Sequence, residues 1–72
     1  MTDTPESPLA MAGRHVVEAE ARVRRQAQIV AELERDGHPD AAIVAPTVLA
    51  TLETTLDLMR EHLRIEREAH SQ

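Results

Sequence analysis

Apolar residues recur every seven positions in two stretches of this sequence, which are separated by the segment Asp36-Gly37-His38-Pro39. A repeat of seven places its members along one side of an α-helix and is typical of helices that pack side by side, as in a coiled coil. The two repeats therefore predict an all-α fold with two helices in contact along their length. The predicted contact, which we call the hairpin seam, comprises Leu9, Val16, Val23, Val30, Leu33, Leu49, Leu52, Leu56, Met59 and Leu63.

Proline, serine and glycine mark the ends of the predicted helices. Ser7 and Pro8 offer an N-cap followed by proline at the first helical position. Gly37 suits the left-handed conformation in which many helices end, and Pro39 can open a second helix. These signals bound the first helix at its two ends and the second helix at its start.

The resulting helices cover about 8–36 and 39–69, and Pro46 lies inside the second one. A proline within a helix removes one backbone donor and clashes with the preceding turn. Two interpretations remain open: a continuous helix with a bend near Pro46, or a short turn over 40–45 before a helix that starts at Pro46. We favour the bend, because the alanines that precede the proline keep the register of the seam.

A connection this short requires the two helices to lie antiparallel. The first helix brings mainly Ala and Val to the seam, whereas the second brings Leu and Met, and small residues opposite large ones interdigitate well. Residues 8–72 are therefore predicted to form a single helical-hairpin domain. Residues 1–7 lack a periodic apolar pattern and are predicted to be a disordered acidic tail.

The second helix carries a wider apolar arc than one neighbouring helix covers. We expect the second helices of two copies to pack together, so that a homodimer forms a four-helix bundle. A monomer with an exposed patch and a groove for another protein's helix are the alternatives. The residues expected at the oligomer interface are Val48, Thr55, Leu58, His62 and Ile65, beside Val44 and Thr51.

Gln26 is the polar residue among the seam positions of the first helix. A polar residue in such a seam can set the register or the oligomeric state at some cost in stability. Alternatively, the helix rotates so that Ala27 faces the core and Gln26 reaches water. The sequence pattern is compatible with both interpretations.

Four histidines in 72 residues raise the question of a metal site. Imidazole and carboxylate groups on one helix face are suitable metal ligands. The spacing lacks the Glu-x-x-His pairs of di-iron bundles, so we expect no metal site, and His62 could instead act as a pH-sensitive contact. The weak candidates for metal ligands are His15, His62, Glu66 and His70.

Composition narrows the functional classes. The chain has no cysteine, no lysine and no aromatic residue, which excludes thiolate and Schiff-base chemistry, so we expect neither an enzyme nor a cofactor. The net charge of −5 argues against a nucleic-acid partner. No apolar run approaches 18 residues and no signal-peptide pattern is present, so we expect no membrane partner and a cytoplasmic protein.

Several segments resemble a group of small uncharacterised bacterial proteins, in a likeness that covers roughly residues 13–63. The segments are Arg14-His15-Val16-Val17-Glu18-Ala19-Glu20, Arg25-Gln26, Leu33-Glu34-Arg35-Asp36-Gly37-His38 and Leu52-Glu53-Thr54-Thr55-Leu56. The resemblance implies a helical hairpin without an assigned activity, and Pro46 departs from its pattern. We therefore expect a non-enzymatic, oligomerising interaction or assembly module. The alternative is a small regulatory binding protein, antitoxin-like or sensor-accessory, whose second helix receives a partner helix.

Overall fold

The computed structural model describes residues 5–71, which form two α-helices and no strand. Helix α1 spans Pro8–Asp36 and helix α2 spans Pro39–His70. The two helices pack against each other as an antiparallel hairpin. The all-α hairpin expected from the sequence is confirmed, and the ends of its helices agree with prediction to within one residue. Of the predicted disordered tail, residues 1–4 lie outside the described residues.

Local hydrogen bonds explain where α1 begins and ends. The Ser7 hydroxyl accepts a hydrogen bond from the backbone N–H of Ala10 at 3.0 Å, as an N-cap does. At the other end, Gly37 adopts φ 72°, and the N–H groups of Gly37 and His38 donate to the carbonyl of Leu33. The left-handed conformation at Gly37 ends α1 and turns the chain into α2.

Helix α2 continues through Pro46 without interruption. The alternative in which a short turn precedes a helix starting at Pro46 is therefore wrong. The bend near Pro46 stays a prediction.

Small side chains dominate the buried part of the seam. Among the described residues, the buried apolar side chains are Ala12, Ala19, Ala45 and Leu56. The predicted seam residues other than Leu56 are half-buried. Alanine allows the backbones of two helices to approach closely, but it removes little apolar surface from water. The hairpin thus has a thin core.

Two polar contacts join the helices at different levels of the seam. The guanidinium of Arg60 approaches the carboxylate of Glu20 at 3.4 Å. The side-chain amide of Gln26 donates to the backbone carbonyl of Ala45 at 3.0 Å. Both contacts connect α1 to α2 and hold the antiparallel register.

Candidate interaction surface

A row of mainly apolar side chains, interspersed with two threonines and one histidine, follows α2 on a side that α1 does not cover. Its members alternate in steps of three and four, which keeps them on one face of a helix. We call this row the α2 outer face: Val44, Val48, Thr51, Thr55, Leu58, His62 and Ile65.

Large apolar side chains of the α2 outer face are in contact with solvent. Val44 is 60% exposed, Leu58 is 63% exposed and Ile65 is 49% exposed. The face lies roughly 100° around the helix axis from the seam, since each residue advances the helix by that angle. The wide apolar arc seen in the sequence is therefore present, and the hairpin alone leaves it uncovered.

The threonines of this face direct their hydroxyl groups into their own helix. The Thr51 hydroxyl donates to the carbonyl of Thr47 and the Thr55 hydroxyl donates to the carbonyl of Thr51, each at 3.1 Å. A hydroxyl satisfied by the carbonyl four residues earlier leaves the methyl group as the outward contact. The threonines consequently extend the apolar surface between Val48 and Leu58.

One side of α1 lies beside the α2 outer face. A groove of about 300 Å³ is lined by His15, Glu18 and Arg22 from α1 and by Thr55 and Met59 from α2. Helical spacing adds two apolar residues, Met11 and Ile29, and the exposed Arg25 to the same side of α1. We call this set the α1 flank: Met11, His15, Glu18, Arg22, Arg25 and Ile29.

Ion pairs order the charged part of the α1 flank. Glu18 accepts a hydrogen bond from Arg14 at 2.6 Å and faces Arg22 at 4.0 Å. Arg14 also donates to Glu6, and these hydrogen bonds raise the pKa of the exposed Arg14 guanidinium. Glu18 of the flank therefore lies between two basic groups, Arg22 of the flank and the neighbouring Arg14.

The side of α2 away from the groove carries a second set of ion pairs. Arg64 donates to Glu61 and, at 2.6 Å, to Glu68. The hydrogen bonds from Arg64 lower the pKa of Glu61, and they raise the pKa of Arg64 itself. All three groups are well exposed, so this side of α2 is an ordinary charged helix surface.

The histidines do not converge on a metal site in the described part of the chain. Nε2 of His62 lies 3.2 Å from Oε1 of Glu66 as an i,i+4 pair. His70 lines a separate groove at the end of the hairpin together with Glu66, while His15 lies in the groove beside Thr55. Among residues 5–71, no group of three His, Asp or Glu side chains could hold a metal ion.

The side-chain amide of Gln26 contacts the other helix. Gln26 is half-buried, and its amide bonds the Ala45 carbonyl, which decides between the two interpretations of the sequence. The inter-helix pair of Glu20 with Arg60 was not expected from the sequence. A signal was available in principle, because the two opposite charges occupy positions flanking the seam on facing helices.

Helix α2 is also long and apolar enough to cross a membrane, by length and composition alone. The core helix of a soluble protein passes the same test. In α2, 11% of the residues in the apolar stretch are buried, and the exposed ones include Val44, Val48 and Leu58 of the α2 outer face. The test and the exposed side chains thus point to the same feature of α2.

Comparison of the chain with protein families, with curated proteins and with solved structures finds no match.

Proposed function

We propose that the chain is a non-enzymatic interaction module that self-associates into a four-helix bundle. The observation that carries the proposal is the α2 outer face, where Val44, Leu58 and Ile65 are exposed beside threonines whose hydroxyl groups point inward. Contiguous apolar surface of this kind marks an interaction site in a soluble protein.

The accessible surface of the hairpin exceeds that of a compact protein by about the area that a second chain would bury. A compact protein of 8.0 kDa exposes about 4,500 Å² of surface, whereas this chain exposes 5503 Å². The excess is roughly 1,000 Å², and a standard protein interface removes about 800 Å² from each partner. One further hairpin is enough to cover the surplus.

The shape of the molecule leads to the same conclusion. The Cα atoms fill a volume 51 Å long but only 13 Å thick. Stable domains consist of at least two layers of secondary structure around a core, and this hairpin supplies one layer. A second hairpin placed on the α2 outer face completes the bundle.

A lipid bilayer is a less favourable environment for the α2 outer face than a second protein chain. Glu53 and Asp57 lie in the middle of α2, and both are exposed. Each carboxylate placed at the centre of a bilayer costs about 3 kcal/mol. In a bundle of hairpins, by contrast, both carboxylates keep their contact with water.

The test compares two variants in which an equally exposed apolar residue becomes an acid. Leu58→Glu alters the α2 outer face, and Val17→Glu is the matched control because Val17 is also 63% exposed but lies outside both surfaces. Sedimentation equilibrium is expected to give the monomer mass for Leu58→Glu and the dimer mass for Val17→Glu. Equal masses for the two variants would contradict the proposed interface.

A further inference from the structure

We propose that the second copy packs antiparallel on this surface, around a two-fold axis that passes close to Thr55. Each α2 outer face then lies against that of the partner, and each α1 flank lies against that of the partner. The inference rests on the proposed function and adds the arrangement and the charged contacts that select a like partner.

The α2 outer face is suited to antiparallel self-pairing. With Thr55 on the axis, Val44 lies against Ile65 of the partner subunit, and Thr51 lies against Leu58 of the partner subunit. The steps of three and four make every member of the row meet another member in this alignment. Except at the axis, where Thr55 faces Thr55 of the partner subunit, each layer combines a smaller and a larger side chain, which is how facing layers interdigitate.

A parallel arrangement of two adjacent α2 helices is less favourable. It sets Asp40 beside Asp40 of the partner subunit and aligns two helix dipoles in the same direction. The antiparallel arrangement brings Asp40 instead towards His70 of the partner subunit at the C-terminal end of its helix. The dipoles then oppose each other, and the terminal charges no longer repel.

The register of the hairpin determines which residues of α1 lie next to the same two-fold axis. Ala19 and Thr55 line one groove, so an axis near Thr55 passes α1 next to Ala19 and Glu20. Glu18 then opposes Arg22 of the partner subunit, and the symmetric contact repeats it. The apolar ends of the flank match as well, since Met11 meets Ile29 of the partner subunit. Between these contacts His15 faces Arg25 of the partner subunit, a contact that adds no attraction between opposite charges. One two-fold axis thus gives favourable contacts along both helices.

A rotation about an axis parallel to the helices gives the competing bundle. It places the α2 outer face against the α1 flank, so that Leu58 covers Glu18 of the partner subunit. The charges of the flank then lose water without gaining a partner of opposite sign. Burial of charged groups against apolar side chains is costly, which disfavours this bundle.

The test reverses the two charges in separate chains. In Glu18→Arg a cation opposes Arg22 of the partner subunit, and in Arg22→Glu an anion opposes Glu18 of the partner subunit. Each variant alone is expected to dimerise about tenfold more weakly than the unmodified chain at low salt, because attraction becomes repulsion at two equivalent contacts. An equimolar mixture restores both attractive contacts and is expected to form the heterodimer.

Matched controls and a second measurement distinguish a specific contact at the interface from a general effect of charge or a loss of folding. Arg24→Glu and Glu53→Arg make the same charge changes on exposed positions of the other side of the hairpin, and their dimers are expected to persist. Thr55→Cys introduces the one thiol of the chain close to the axis, so mild oxidation is expected to link the dimer, whereas Val17→Cys is not linked. Circular dichroism establishes that each variant stays helical.

The outcomes distinguish the arrangement from the function on which it rests. A dimer in which neither charge reversal has an effect, or in which Thr55→Cys fails to link, overturns the antiparallel arrangement alone. An unmodified chain that sediments as a monomer overturns both. Heterodimer formation that weakens as salt is raised supports the paired charges.

Discussion

The side-chain amide of Gln26 joins α1 to α2 next to the one proline inside a helix. Its donor reaches the Ala45 carbonyl at 3.0 Å, and Pro46 is the following residue. Because Pro46 has no N–H group, the turn that precedes it has one backbone hydrogen bond fewer than the rest of α2. The amide therefore joins α1 to the turn of α2 that lacks this backbone hydrogen bond.

Removal of this amide tests its role. Gln26→Ala deletes an inter-helix hydrogen bond and is expected to lower the free energy of unfolding by about 1 kcal/mol. Gln28→Ala is the control, since Gln28 is exposed on the same helix and its loss is expected to be neutral. Urea denaturation at one fixed protein concentration measures both, and equal effects would show that the bond contributes nothing.

At the scale of the helices, much of the fold follows from local patterns. The apolar repeat predicted two helices, and Ser7, Gly37 and Pro39 predicted both ends of α1 and the start of α2, because caps and left-handed turns depend on few neighbouring residues. The rotation of each helix about its axis does not follow from such patterns. For that reason the sequence does not decide whether Gln26 contacts the other helix or solvent, and it does not predict the ion pair of Glu20 with Arg60.

The two glycines are expected to respond in opposite ways to alanine. Gly37 ends α1 at φ 72°, where a side chain is strained, so Gly37→Ala is expected to destabilise the hairpin by about 1 kcal/mol. Gly13 lies inside α1 with open space at its missing Cβ atom, and Gly13→Ala is expected to stabilise it by about 0.5–1 kcal/mol. Melting temperatures measured at matched protein concentration are expected to fall for Gly37→Ala and to rise for Gly13→Ala. Shifts of both melting temperatures in the same direction would contradict this account of α1.

At the scale of the whole molecule, the exposed α2 outer face and the thin core have a common explanation. A single layer of two helices with mostly alanine in its buried centre leaves Val44, Leu58 and Ile65 in water. The sequence indicated the width of this apolar arc, but not that the threonines turn their hydroxyl groups inward. Side-chain hydrogen bonds of that kind depend on the rotamer that each threonine adopts.

The central claim is that a second copy of the chain covers this face. Sedimentation equilibrium of the unmodified protein tests it most directly, because it measures mass without assuming a shape. The account predicts a species with twice the 8.0 kDa of the chain, which dissociates on dilution. A mass of 8.0 kDa that stays constant up to high protein concentration would contradict it.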